Sequence, residues 1–322
     1  MTDNQSTEYI TMPDGEKIAL HSWLPDGEIR WVVQVCHGMI EYAERYNHVG
    51  VFLCRHGIAM YAHDQRGHGD TACTPERLGF IADRNGFQTV IEDLREIINR
   101  VKQKHSGCKI VLLAHSFGSF VTQGYIEQYG SEIDACILSG TAGPRPFSVW
   151  AAKSIACIIK TVKGAHFRSQ FMSNLVFGNY NRRIQHPKSK NAWLTRDESI
   201  VEKYDSDMYT TFIPTIGFFY DLFSGLSRIH KKKQIDAIPK NLPIHIVVGQ
   251  DDPVGGYGKL VEKLYRLYRS AGIRRVSLKI YPGGRHELLN EINRQQVMDD
   301  LLYWMEKLFK NCLKAYTQKE QI

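Results

Sequence analysis

Residues 109–121 read "KIVLLAHSFGSFV", an apolar run that stops on a serine and passes at once into a helical pattern. A continuous apolar strand is what a sheet covered on both faces requires. A chain that leaves such a strand and enters a helix within one residue crowds its own backbone. The residues two before and two after the serine must then be small, and they are Ala114 and Gly118. The pattern is G-x-S-x-G with alanine in the first place. It puts Ser116 at the carboxyl end of a buried strand, where open α/β sheets hold their ligands. A plain helix N-cap serine is the competing reading.

The flanking sequence repeats the rhythm. "KIALHSWL" (17–24) alternates with period two, and "WVVQVCH" (31–37), "GIAMYAHD" (57–64) and "DACILSG" (134–140) are β-rich runs. Val90, Ile91, Leu94, Ile97, Ile98 and Val101 mark an amphipathic helix within 86–105. After Thr141 the pattern becomes helical, irregular and aromatic, until a strand at 243–251, a helix at 258–272, a strand at 276–283 and a closing helix at 293–314. The expectation is an α/β core of residues 1–142 and 231–322, its mostly parallel central sheet flanked by helices. Residues 143–230 form a helical insertion of a size to cap the core's ligand face.

Composition narrows the function. Lysine and arginine number 41 against 34 acidic residues, a net charge of +7, but the excess is scattered and its one dense run is Lys231–Lys233. That run reads as a solvated loop, and with no zinc-finger, helix-turn-helix or RNA-binding motif no nucleic-acid partner is expected. No apolar run reaches membrane-spanning length and the N-terminus has no basic-then-apolar leader. The seven cysteines contain no C-x-x-C pair, so neither a disulfide framework nor a zinc site is suggested. A cytoplasmic protein needing no cofactor or metal is expected. Nothing in the sequence fixes an oligomeric state.

A serine hydroxyl needs a base to become a nucleophile, and the base needs an acid to orient it. On this architecture the chain order is serine, acid, histidine. "VVGQDDPVGG" offers Asp251 and Asp252 just past a late strand, and "IYPGGRHELLNE" offers His286 past the last one. Of the 13 histidines, only His286 follows the last expected strand. His115, next to the serine, is expected to pack beneath the turn. The oxyanion formed on attack needs two aimed donors. The backbone N–H of Phe117 is one; the other comes from "HGMIEYAERY", where Gly38 lets the backbone come close and Met39 presents its N–H.

"HGMIEYAERY", "HDQRGHGDT", "AHSFGS", "GQDDPVGG" and "YPGGRHELLNE" together resemble the monoacylglycerol lipases and bacterial lysophospholipases of the α/β-hydrolase fold. The similarity runs from about residue 9 to about 308. It implies Ser116 as nucleophile, His286 as base and Met39 and Phe117 as oxyanion donors. It puts the acid three residues past Gly249, on Asp252 rather than Asp251. Two positions depart from the family pattern: Ala114, and Asp70 after "RGHG".

The implied activity is serine hydrolysis of carboxylic esters of single-chain lipids through an acyl-enzyme. A prolyl-type aminopeptidase or a small-ester esterase on the same fold remains open, as does a non-catalytic binding protein. "GHGDTA" (67–72) mimics a dinucleotide fingerprint, but Thr74-Pro75 stands where a helix should begin. Within 147–167, Lys153, Lys160 and Lys163 fall on one helical face and Ala152, Ile155, Ile159 and Val162 on another. That pattern fits a transient membrane-surface contact, or a cap helix packed on the core with its lysines in water.

Overall fold

The computed structural model describes residues 5–317. In chain order it comprises β1 (Gln5–Thr11), β2 (Lys17–Trp23), β3 (Trp31–Cys36), α1 (Asn47–Cys54), β4 (Ile58–His63), α2 (Gly69–Ala72), α3 (Gly86–Lys104), β5 (Ile110–His115) and α4 (Phe117–Tyr129). These are followed by β6 (Ala135–Ser139), α5 (Pro146–Lys163), α6 (Gln170–Phe177), α7 (Glu198–Ser206), α8 (Ile216–Leu226) and α9 (Lys232–Ala237). The chain closes with β7 (Ile244–Gly249), α10 (Lys259–Ser270), β8 (Val276–Tyr281) and α11 (Arg294–Thr317). One sheet runs β1-β2-β4-β3-β5-β6-β7-β8; β1 and β2 pair antiparallel and every pairing from β4 to β8 is parallel.

Alternate strand residues feed two cores, as a two-residue side-chain period dictates. Leu112 and Leu138 face the layer holding Ile91, Leu94, Val121 and Tyr125 of α3 and α4. Val111, Leu113 and Ile137 face Val49 and Leu53 of α1 and Val297, Leu301 and Met305 of α11. The unbroken apolar character of β5 follows: all six of its residues are buried.

From β3 the chain steps to β4 on one side, then crosses back to β5 on the other, so the strand order reverses between β3 and β5. A crevice opens at the carboxyl ends of such strands. β1 is the strand the sequence pattern did not announce. It is a polar edge strand in which no residue is buried, so it lacks the apolar signature by which strands are read. Between β6 and β7 the chain adds no strand and makes α5–α9, with α5 packed along α8.

The expected faces of α5 need correction. Ile155 and Ile159 are half-buried against the core, whereas Val162 is 71% exposed, alongside Phe147 (78%), Trp150 (64%) and Ile158 (65%). Lys153 and Lys160 lie over the Tyr220 ring. The exposed face of the helix is therefore mainly apolar, and it is lined by residues that the lysine pattern did not single out.

Candidate active site

Ser116 is the single residue between β5 and α4, at φ 49° and ψ −118°. A side chain there costs strain that L-residues avoid unless their surroundings enforce it. The enforcement is visible: the Ser116 N–H donates to Ser139 O at 3.0 Å, and its carbonyl accepts the Ser119 N–H at 2.9 Å. A Cβ at position 118 would lie 2.1 Å from the Cys36 carbonyl oxygen, so only glycine lets α4 pass β3. Ala114 is fully buried, its methyl taken into the core.

The loop after β3 comes almost as close. A Cβ at Gly38 would sit 3.1 Å from Ser116 Cβ and 3.2 Å from His115 Cδ2. His37 accepts the Gln65 N–H at Nε2, which leaves Nδ1 to donate to the Gly38 carbonyl at 2.7 Å. Ile40 follows at a left-handed φ of 60°, and its carbonyl accepts Tyr204 Oη of α7 at 2.8 Å. Met39 and Phe117, the expected oxyanion donors, line one cavity with Ser116 and His286. The first N–H groups of α4 have no partner within the helix, which suits the Phe117 N–H to bind negative charge.

Past β7, Asp252 is fully buried and Asp251 exposed. Asp252 Oδ2 lies 3.0 Å from His286 Nδ1, and its Oδ1 accepts the Val254 N–H at 2.8 Å. Asp251 instead ties its backbone N–H to the Gly284 carbonyl. Gly249 is what lets these loops meet, since a Cβ there would fall 2.2 Å from the carbonyl oxygens of Gly284 and Arg285. Burial disfavours a charged His286, but the Asp252 carboxylate outweighs it and raises the imidazole above its ordinary value.

The His286 ring sits between two others. His115 packs on it at 4.6 Å between centroids and Trp193, from the segment between α6 and α7, at 4.9 Å. His115 is thus buried, as expected of it, but it borders the cavity and walls one side of the His286 ring. Burial and its charged neighbours hold it well below the ordinary histidine range, hence neutral.

A buried ionic cluster joins the two loops. Arg45 donates to both oxygens of Glu287 at 2.7 and 2.6 Å and to Glu41 at 3.0 Å. Glu41 also accepts from the Gly38 N–H and from Tyr46 Oη. Burial pushes Glu41 up to about 7 despite Arg45, whereas for Glu287 the bidentate guanidinium overcomes burial and takes it down. The i, i+4 spacing of Glu41 and Arg45 was the available signal for this pair. Nothing local announces that Glu287 completes it.

The cavity has a volume of about 370 Å³. From Ser116 it runs between apolar side chains of the inserted helices, among them Val176, Phe177, Leu222, Phe223 and Leu226. His21, Asp64 and Asp70, whose ligand atoms lie within 4.8 Å of one another, are the described group nearest to a metal-binding set. None of them borders the cavity, and Asp64 already accepts backbone N–H groups of Ala43 and Asp70.

Sheet order, strand-end loops and a serine on a strained strand-to-helix turn define an α/β-hydrolase. Within that class the chain belongs to the serine aminopeptidase S33 family, which it matches over residues 27–293. It is 26% identical over 299 residues to the monoacylglycerol lipase of Mycolicibacterium smegmatis, covering 90% of this chain and 93% of that protein. It is 24% identical over 315 residues to the monoglyceride lipase of Rattus norvegicus, covering 94% and 90%. A thermostable carboxyl esterase from Bacillus coagulans, solved with glycerol, superposes with a TM-score of 0.88 at 25% identity, covering 95% of this chain and 99% of that one. A soluble variant of the Saccharomyces cerevisiae monoglyceride lipase, bound to a substrate analogue, gives 0.76 at 22% identity over 96% and 97%, a likeness of fold. The lipase resemblance carried by the five motifs is borne out by these relatives.

Proposed function

We propose that this chain is a serine hydrolase that cleaves carboxylic esters of single-chain lipids, monoacylglycerol or lysophospholipid. The observation that carries the reading is the cavity: it leads away from the serine past Val176, Phe177, Leu222, Phe223 and Leu226, with polar residues such as Asn174, Asn181 and Thr211 on other parts of its wall, and the two carboxylates among its described lining residues, Glu41 and Glu287, are both engaged by Arg45. An aminopeptidase needs a free carboxylate to hold the substrate amine. Here the remaining charged groups at the wall are Arg145 and Lys190, which repel an ammonium. The apolar stretch of this lining and the absence of a free anion among its described residues favour an acyl chain over a peptide N-terminus.

In this reading Ser116 Oγ attacks the ester carbonyl while His286 takes its proton, and Asp252 steadies the imidazolium. The N–H groups of Met39 and Phe117 hold the oxyanion. Collapse passes the proton from His286 to the leaving alcohol and leaves the acyl group on Ser116. Water, deprotonated by His286, then releases the fatty acid and restores the serine.

Residues 143–230 act as the cap, and their apolar α5 face, led by Phe147 and Trp150, rests transiently on the lipid aggregate that presents the substrate. No helix among the described residues is long and apolar enough to cross a membrane. The six cysteines with described side chains are all free, in keeping with a cytoplasmic setting.

A series of sub-micellar nitrophenyl esters from acetate to decanoate tests the reading. Each methylene buried contributes about 0.8 kcal/mol, so kcat/KM should climb severalfold per added pair of carbons until the chamber fills. Aminoacyl amides should not be cleaved. Equal rates on acetate and decanoate would leave a small-ester esterase, and turnover of the amides would return the aminopeptidase.

A further inference from the structure

A second cavity, of about 420 Å³, lies where α5, α8 and the start of α3 meet, and it shares no lining residue with the chamber at Ser116. Four cationic side chains border it: Arg84 before α3, Lys153 and Lys160 on α5, and Arg228 just past α8. Two carboxylates oppose them, Asp83 and Asp221. The lining therefore carries a surplus of positive charge, with the buried Glu127 carboxyl interacting with Arg228 from outside it.

The polar groups around it are incompletely used. Lys153 and Lys160 make no hydrogen bond or salt bridge with the described residues; their ammonium groups rest 5.6 and 4.7 Å from the centre of the Tyr220 ring. Arg228 gives one bond to Gln88, but its buried Nε has no acceptor. Ser224 Oγ and Asp221 Oδ2 are likewise buried without a partner, and the Asp221 residue is only 3% exposed. Those three atoms are shut off from solvent, so what the open cavity offers a ligand is its cationic side chains.

We propose that this cavity is a binding site for a phosphate-bearing ligand. A phosphate presents several acceptor oxygens and up to two negative charges, which two ammonium and two guanidinium groups match in donor number and sign. A monoanionic carboxylate would leave part of the cationic set unused. The assignment stands independently of the ester-hydrolase reading, because none of these residues touches Ser116, Asp252 or His286. The shared chemistry has two sources, a soluble organic phosphate or the phosphate of a lipid headgroup beside the apolar face of α5.

Calorimetric titration of the full chain with glycerol 3-phosphate, and flotation with phosphatidylcholine vesicles doped with phosphatidic acid, test it. Saturable glycerol 3-phosphate binding identifies a soluble ligand, and vesicle binding alone identifies a headgroup. In either case Lys153→Ala combined with Lys160→Ala should weaken binding tenfold or more, and Arg228→Gln severalfold. Hydrolysis of a short soluble ester should be unchanged in both variants, which shows that they are folded. Binding to neither probe, or binding that survives the lysine pair undiminished, overturns the proposal.

Discussion

Ser116 holds a backbone conformation that only its neighbours make tenable, and that strain is measurable. Glycine tolerates a positive φ, whereas an L side chain there costs about 1–2 kcal/mol. Ser116→Gly and Ser116→Ala should both be inactive, but the glycine protein should unfold at the higher temperature. The reverse order would mean that the turn is unstrained. Asp252 and Asp251 separate just as cleanly. Asp252→Asn removes the buried acceptor of His286 Nδ1 and should lower kcat by roughly 10⁴-fold, while Asp251→Asn should stay near wild type. A histidine acting as base must be neutral, so with His286 in that proposed role kcat/KM should rise with pH as it loses its proton. Since Asp252 raises the imidazole, the midpoint should lie above the ordinary histidine value of about 6.5. In Asp252→Asn burial is opposed only by the weaker pull of Glu287 and Glu41, and the limb should move to lower pH; an unmoved limb would point to another base. These residues were legible because each follows a strand with a glycine close by, and close approach of backbones demands glycine. The choice of Asp252 rested on motif spacing, and the structure adds the bond to His286 Nδ1.

Loops that meet in space but not in sequence set what could be read among the elements. The Glu41–Arg45–Glu287 cluster ties the loop after β3 to the loop that carries His286, yet its members are 242 residues apart at the Arg45–Glu287 contact. No local pattern encodes such a meeting. Arg45→Leu should strip two buried carboxylates of their counter-charge and cost about 3–5 kcal/mol in chemical unfolding; a loss under 1 kcal/mol would show that the cluster is well hydrated. The Trp193 ring against His286 was likewise hidden, since its segment shows no sign of reaching back over the sheet. Helix periodicity served α3 well, because its stripe is covered by one layer. It served α5 poorly, because that helix packs on one side and presents Phe147, Trp150, Ile158 and Val162 to solvent on the other. β1 escaped notice for the related reason that an edge strand buries no residue.

At the scale of the whole molecule, the sheet was legible from its apolar strands and their order, while the path of the inserted helices was not. Their irregular aromatic pattern has two destinations, packing and cavity wall, and only the structure sorts them. Phe218 and Phe219 are fully buried in the core, Phe177 and Phe223 wall the chamber, and Phe147 and Phe171 face solvent. If α5 rests on lipid, Phe147→Ser with Trp150→Ser should lower turnover of vesicle-borne monoacylglycerol severalfold and leave sub-micellar esters untouched. Equal effects on both would assign those side chains to the fold rather than to the interface. The claim beneath all of this is that Ser116 is the nucleophile of an acyl chamber. Intact-mass analysis with peptide mapping, after treatment with a long-chain alkyl fluorophosphonate, tests it directly. A single adduct per chain is expected, on Ser116, with full loss of esterase activity and no adduct on Ser116→Ala. Labelling at another residue, or an active Ser116→Ala protein, would contradict it.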